Sequence, residues 1–191
     1  MPRPDDETRP HDRVFRENLP ALYRLAYTLL RQREEAEDAV QDAWLRVARA
    51  GEGQAEGAVR HPRGWMFRIL RNLCIDRLRA RRTHLRIVST DIDIDTLPAS
   101  ATGTARADDA AEAADTLART RAAMERMPRD LAEILTLVVI EGMSYREAAS
   151  VLEIPVGTVR SRLNRARRDL RDRLDGAGRA PHDTIRPGRR P

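Results

Sequence analysis

The stretch from Ser144 to Arg168 constrains the fold more than any other part of this 191-residue chain. Ser144-Tyr145-Arg146-Glu147 is a capping box, in which a serine and a glutamate three residues on satisfy each other's backbone N–H at a helix start. The helix it opens is predicted to end at Leu152, Glu153-Ile154-Pro155 makes a tight turn, and a second amphipathic helix runs from Val156 to about Leu174. Two helices joined this closely make a helix-turn-helix. Ala148 and Ala149 are small enough to let the helices approach, Ile154 can plug the corner, and Val159, Leu163 and Ala166 face inward. Thr158, Arg160, Ser161, Arg162, Asn164, Arg165 and Arg168 are left for solvent or DNA. In such a motif, residues near the start of the second helix meet base edges and later ones meet phosphates. The alternative reading of the same spacing is a helical hairpin with solubilising arginine faces.

The rest of the chain is helical in period, and no stretch alternates as a strand would, so an all-α fold is expected. Val14, Phe15, Leu19, Leu22, Leu25, Ala26, Leu29 and Leu30 form one apolar stripe. Ala36, Ala39, Val40, Ala43, Trp44 and Val47 form a second, after a polar break at Arg31 to Arg33. Glu34, Glu35, Glu37 and Asp38 crowd the start of that second helix and Arg46 and Arg49 its end, which suits the helix dipole. A Gly-rich loop from Gly51 to Arg60 leads to Pro62 and a long helix from Gly64 to Arg82, with Trp65, Ile69, Leu73, Ile75 and Leu78 expected inside. Beyond it, Asp91-Ile92-Asp93-Ile94-Asp95, Pro98 and Gly103 mark a connection too long for the interior of one compact domain. A short helix from Leu117 to Met127 and another from Arg129 to Glu141, stopped by Gly142, complete the second half. Leu131, Ile134, Leu135, Leu137, Val138 and Ile140 are its expected core. The organisation expected is a disordered N-terminus over 1–11, a helical bundle over 12–84, a flexible acidic linker over 85–114, a helix-turn-helix bundle over 115–175 and a flexible tail over 176–191.

Charge narrows the function classes. The net charge is +5, and all 35 basic side chains are arginine, whose planar fork suits phosphates and guanine edges. Basic blocks at Arg60 to Arg82 and Arg160 to Arg173 flank the acidic spacer from Asp91 to Asp115, a pattern that fits two contacts with a polyanion or, on the plainer reading, solvated helix faces. The single cysteine, Cys74, lies in an apolar helical pattern, so it is expected as a small core residue with no disulfide or Cys/His metal site in one chain. No apolar signal core or membrane-length apolar run occurs, and a cytoplasmic protein without membrane insertion is expected.

At the residue level, Pro155-Val156-Gly157-Thr158-Val159-Arg160-Ser161-Arg162-Leu163, with Arg165-Ala166-Arg167, resembles the C-terminal helix-turn-helix of extracytoplasmic-function sigma factors, the small two-domain members of the sigma-70 family. Gly142 to Ala149 looks like the matching first helix. Glu37-Asp38-Ala39-Val40-Gln41-Asp42-Ala43-Trp44 resembles the family's core-binding helix. Pro62 to Ile69, Arg71 to Asp76 and Arg79 to Arg82 resemble its promoter-melting helix. The likeness spans roughly Asp12 to Arg173, the linker excepted.

The resemblance implies an RNA polymerase sigma factor that directs core polymerase to promoters and assists melting. The 12–84 domain would act as region 2 on core polymerase and the −10 element, and the 115–175 domain as region 4 on the −35 element. It implies −35 contacts by Arg146, Thr158, Arg160, Ser161, Asn164, Arg165 and Arg168. It implies −10 contacts by His61, Arg63, Arg68, Arg71, Asn72, Asp76 and Arg79, with Arg68, Asn72 and Asp76 one turn apart on one face. Asp76 departs from a phosphate-binding pattern; it accepts either from cytosine N4 or from an arginine. Trp65 reads either as a stacking wedge or, better, as core. Asp38, Gln41 and Asp42 would meet the coiled coil of the polymerase's largest subunit, although the acidic cluster also simply satisfies a helix N-terminus. Promoter DNA, core RNA polymerase and an anti-sigma factor are the implied partners, with no enzymatic activity, cofactor or metal.

Two other classes compete. A helix-turn-helix regulator that is not a polymerase subunit, such as a response regulator, would carry strands in its first half. A metal-dependent nuclease built on Glu34, Glu35, Glu37 and Asp38 would need these carboxylates to converge, whereas helical spacing spreads them around the first turns.

Overall fold

A computed structural model describes residues 10–51, 61–88 and 108–177. Every regular element among the described residues is helical: α1 (Pro10–Leu30), α2 (Arg33–Gly51), α3 (Pro62–Val88), α4 (Asp108–Glu125), α5 (Arg129–Leu135), a π-helical turn (Thr136–Ile140), α6 (Tyr145–Leu152) and α7 (Val156–Ala177). None is long and apolar enough to cross a membrane. The expected Gly-rich loop over 52–60, the N-terminal nine residues, the acidic run over 89–107 and the tail from 178 lie outside the described residues.

The first three helices pack mutually. Ala36, Ala39 and Ala43 are fully buried on α2 and let it approach closely, and the Phe15 and Trp44 rings meet at 5.1 Å. α1 ends on Arg31, a non-glycine residue at φ 58°, whose N–H returns to the Tyr27 carbonyl at 2.8 Å. Two expectations fail here. Leu19 is 44% exposed. On α3 the buried residues are Met66, Phe67, Leu70, Leu73 and Cys74, while Trp65, Ile69, Ile75 and Leu78 are only half-buried. The reason is that α3 touches α1, α2 and α6. Apolar residues occupy most of its faces, so period alone leaves two inward faces open and packing selects between them. Burial also pushes the Cys74 thiol up to about 12, which makes it unreactive.

The linker is shorter in structure than in sequence. α3 continues to Val88 and α4 begins at Asp108, because Asp108 to Asp115 combines alanines with acidic residues at a helix start. The expected helix from Arg129 to Glu141 changes pitch at Thr136. Its wide turn closes with the Glu141 N–H on the Thr136 carbonyl at 2.9 Å, which stacks Glu141 over Thr136 and turns Val139 and Ile140 outward. Ile140, expected in the core, is 48% exposed for that reason. Gly142 then adopts φ 65°, and the Met143 N–H reaches back to the Leu137 carbonyl at 3.0 Å, a Schellman-type stop.

The capping box forms as read. Ser144 N–H donates to Glu147 Oε2 at 2.8 Å, and Glu147 N–H donates to Ser144 Oγ at 3.2 Å. These bonds hold the Glu147 carboxyl below the usual carboxylate range. A depressed folded value means that stability is present above the unfolded pKa and is lost as pH falls through the folded one. Glu147→Gln should therefore flatten the acid limb of stability in urea melts followed from neutral to acid pH. An unchanged acid limb would show that the bond carries no charge dependence. The carboxylate faces solvent, which screens the effect.

Candidate nucleic-acid interface

α6, the turn and α7 place the −35 candidates. Ala148, Val159, Leu163 and Ala166 are fully buried and fix the two helices against each other. α6 ends on Glu153 at φ 55°, a left-handed C-cap made without glycine, and Pro155 opens α7. Opposite the buried stripe, Arg160, Ser161, Asn164, Arg165 and Arg168 are exposed on α7, and Arg146 is exposed on α6. Thr158 is half-buried at the first turn, where its carbonyl accepts from Ser161 Oγ at 3.0 Å. Arg160 and Asn164 stand one turn apart, as do Ser161, Arg165 and Arg168, so the face offers two rows of donors. Arg162 behaves differently from the solvent-facing role read for it. It is half-buried and lies close enough to Glu133 to favour that carboxylate's charged form.

The −10 candidates divide between two faces of α3. Asn72, Asp76 and Arg79 are exposed on one side, with Arg68 half-buried beside them and His61 exposed before the helix. Asp76 lies 3.7 Å from Arg79, so it has an arginine partner on its own helix. Arg63 and Arg71 point elsewhere, into the second domain. Arg63 donates to Asn18 Oδ1 at 3.0 Å and to the Glu141 carbonyl at 2.8 Å, with its guanidinium 5.5 Å over the Phe67 ring. Arg71 Nε donates to Glu133 Oε1 at 2.7 Å. Sequence reasoning placed all seven on one site, and the structure brings four helical positions together and sends two into an interdomain contact.

The core-binding candidates also differ among themselves. Asp38 and Gln41 are exposed on α2. Asp42 accepts from Arg77 Nη2 at 2.6 Å, while Arg77 Nη1 reaches the Glu35 carbonyl at 3.0 Å, so Asp42 clamps α2 to α3.

The residues missed from sequence are those that join the halves. Glu133 and Glu141 have side chains only 4% exposed, and Arg24 grips Glu141 through two bonds, Nε to Oε1 at 2.7 Å and Nη2 to Oε2 at 3.2 Å. Thr28 and Thr136 hydroxyls meet at 3.2 Å, Tyr27 OH donates to Glu125 at 3.3 Å, and Arg31 donates to the Met127 carbonyl. A signal existed: Glu133 interrupts the apolar run from Leu131 to Ile140, and a carboxylate there needs a partner. The partner's identity was not in the local sequence. Glu133's carboxyl is raised, chiefly by burial, against the lowering pull of Arg71.

Comparison with known proteins agrees with this arrangement. Residues 14–84 match the family model for sigma-70 region 2, and residues 117–170 match that for sigma-70 region 4. The chain is 35% identical over 85% of its length to the ECF RNA polymerase sigma factor SigE of Mycolicibacterium smegmatis, spanning 61% of that relative. It is 33% identical to the ECF RNA polymerase sigma factor EcfG of Rhodopseudomonas palustris, with 88% of each chain covered. Among solved structures it is similar to the sigma factor RpoE of Bartonella quintana in complex with the anti-sigma factor NepR, with a TM-score of 0.65 and 27% identity, covering 84% of this chain and 95% of that one. Two family matches in this order on an all-helical chain, with full-length relatives above the identity at which families separate, lead to one assignment: the chain belongs to the extracytoplasmic-function group of the sigma-70 family of RNA polymerase sigma factors.

Proposed function

We propose that this chain associates with core RNA polymerase in the cytoplasm, directs it to promoters and assists strand opening, without catalysing a reaction itself. The observation that carries the reading is the capped helix-turn-helix with Arg160, Asn164 and Arg165 aligned on the outer face of α7, in one chain with the exposed Asn72–Asp76 face of α3. The 115–175 domain reads the −35 element in the major groove, where arginine pairs with guanine O6/N7 and asparagine with adenine N6/N7; Arg146 and Arg168 hold phosphates. The 12–84 domain handles the −10 element with His61, Arg63, Arg68, Arg71, Asn72, Asp76 and Arg79, in which unpaired bases are held by their edges. Asp38 and Gln41 meet the polymerase's largest subunit, and Asp42 acts through its clamp on α3. The solved relative bound to NepR supports an anti-sigma protein as a further partner.

The test mixes the purified chain with sigma-free bacterial core polymerase and follows co-elution and transcription from its genome's promoters. Start sites sharing two spaced elements are expected. Direct DNA binding by the chain alone, with no association with core, would replace this reading with an ordinary helix-turn-helix regulator. Within the assay, Arg160→Ala should weaken −35 recognition by about 1–3 kcal/mol if the arginine makes a bidentate base contact. Retained promoter preference in that variant would remove Arg160 from the readers.

A further inference from the structure

Two arginines assigned to DNA are already occupied by carboxylates of the same chain. Glu133 and Glu141, both on the second domain, are buried against Arg71, Arg63 and Arg24 of the first. Arg71 is only 17% exposed at a 2.7 Å bond to Glu133, and Glu141 is bonded through its carboxylate by Arg24 and through its carbonyl by Arg63. A carboxylate buried this deeply is tolerable only while its cation stays in place. The partners lie 62 to 117 residues away in sequence, across the linker, so the pairs exist only when the domains touch. The Thr28–Thr136 hydroxyl contact lies in the same seam. Carboxylates here offer arginine the same anionic oxygens that a nucleic-acid backbone would.

We propose that the free chain is self-locked: Glu133 and Glu141 hold the two domains closed and mask Arg63 and Arg71, which reach DNA only after the domains separate. This rests on the proposed assignment of those arginines to DNA. The apparent affinity of a masked site falls by the fraction of molecules that are open. Core polymerase, by holding the domains apart on separate surfaces, would supply the opening, and removal of the lock should let the chain bind DNA alone.

The test uses the full chain with Arg46→Cys and Ser150→Cys carrying an energy-transfer pair; both positions are exposed, and Cys74 is buried and stays unlabelled. Glu133→Gln with Glu141→Gln keeps size and acceptor oxygens but removes both charges. Lower transfer efficiency and about tenfold tighter binding of a mixed-sequence single-stranded oligonucleotide are expected, the gain for a site open in about a tenth of molecules. A folded variant with unchanged transfer, or one that opens without a gain in affinity, would overturn the proposal. A second variant guards against misfolding: Thr28→Cys with Thr136→Cys, oxidised, should lose promoter-directed transcription with core at least tenfold and regain it on reduction. Equal activity in the oxidised and reduced forms would also overturn it. Failure of the sigma reading would show differently, as no promoter-directed transcription by the parent chain, while the energy-transfer and oligonucleotide arms still report on the lock.

Discussion

Phe67→Ala is expected to destabilise the first domain by about 3–5 kcal/mol, the range for an aromatic removed from a sealed core. Phe67 is fully buried on α3 between α1 and α2, beside Met66 and Leu70, and the Arg63 guanidinium sits over its ring. Truncation leaves a ring-sized void that helices pinned on several sides cannot close, and it strips Arg63 of its aromatic contact. Urea unfolding monitored by helix content should show a lower midpoint with a similar slope. A loss below about 1 kcal/mol would mean that α3 repacks around the gap and that Phe67 does not anchor the bundle.

Leu163→Ala should cost about 2–5 kcal/mol and act on the helix-turn-helix itself. Leu163 is fully buried between Val159 and Ala166 and holds α7 against α5 and α6, so the arginine rows on its outer face keep their spacing only while it is in place. Binding of a duplex containing the −35 element should fall together with stability. A destabilised variant that nevertheless binds duplex at parental affinity below its melting transition would show that the outer face is set by α7 alone. The contrast with Arg160→Ala is informative, because that exposed residue should change affinity and leave stability within about 0.5 kcal/mol.

The two residues also differ in how far they could be read in advance. Leu163, Val159 and Ala166 repeat at helical spacing beside a capping box, and each of these signals is local, so the motif and its outward face were legible residue by residue. Phe67 was not picked out, because Trp65 and Ile69 offer an equally regular stripe one position away. The Asn72–Asp76 face was legible in the same way as α7, since a one-turn spacing needs no knowledge of neighbours. The Asp42–Arg77 clamp was not, because it depends on how α2 meets α3.

What the chain's sequence by itself determined was therefore the set of helices, the capped helix-turn-helix, the division into two halves and the family to which those halves belong. These follow from period, caps and breakers, which act over a few residues. Only the tertiary structure decided which face of α3 is buried, how the wide turn at Thr136 swings Ile140 outward and Glu141 inward, and that Arg24, Arg63 and Arg71 meet glutamates up to 117 residues away. A buried charge announces that it needs a partner; which partner it takes is a question of three-dimensional proximity, and that is settled by packing across the interface.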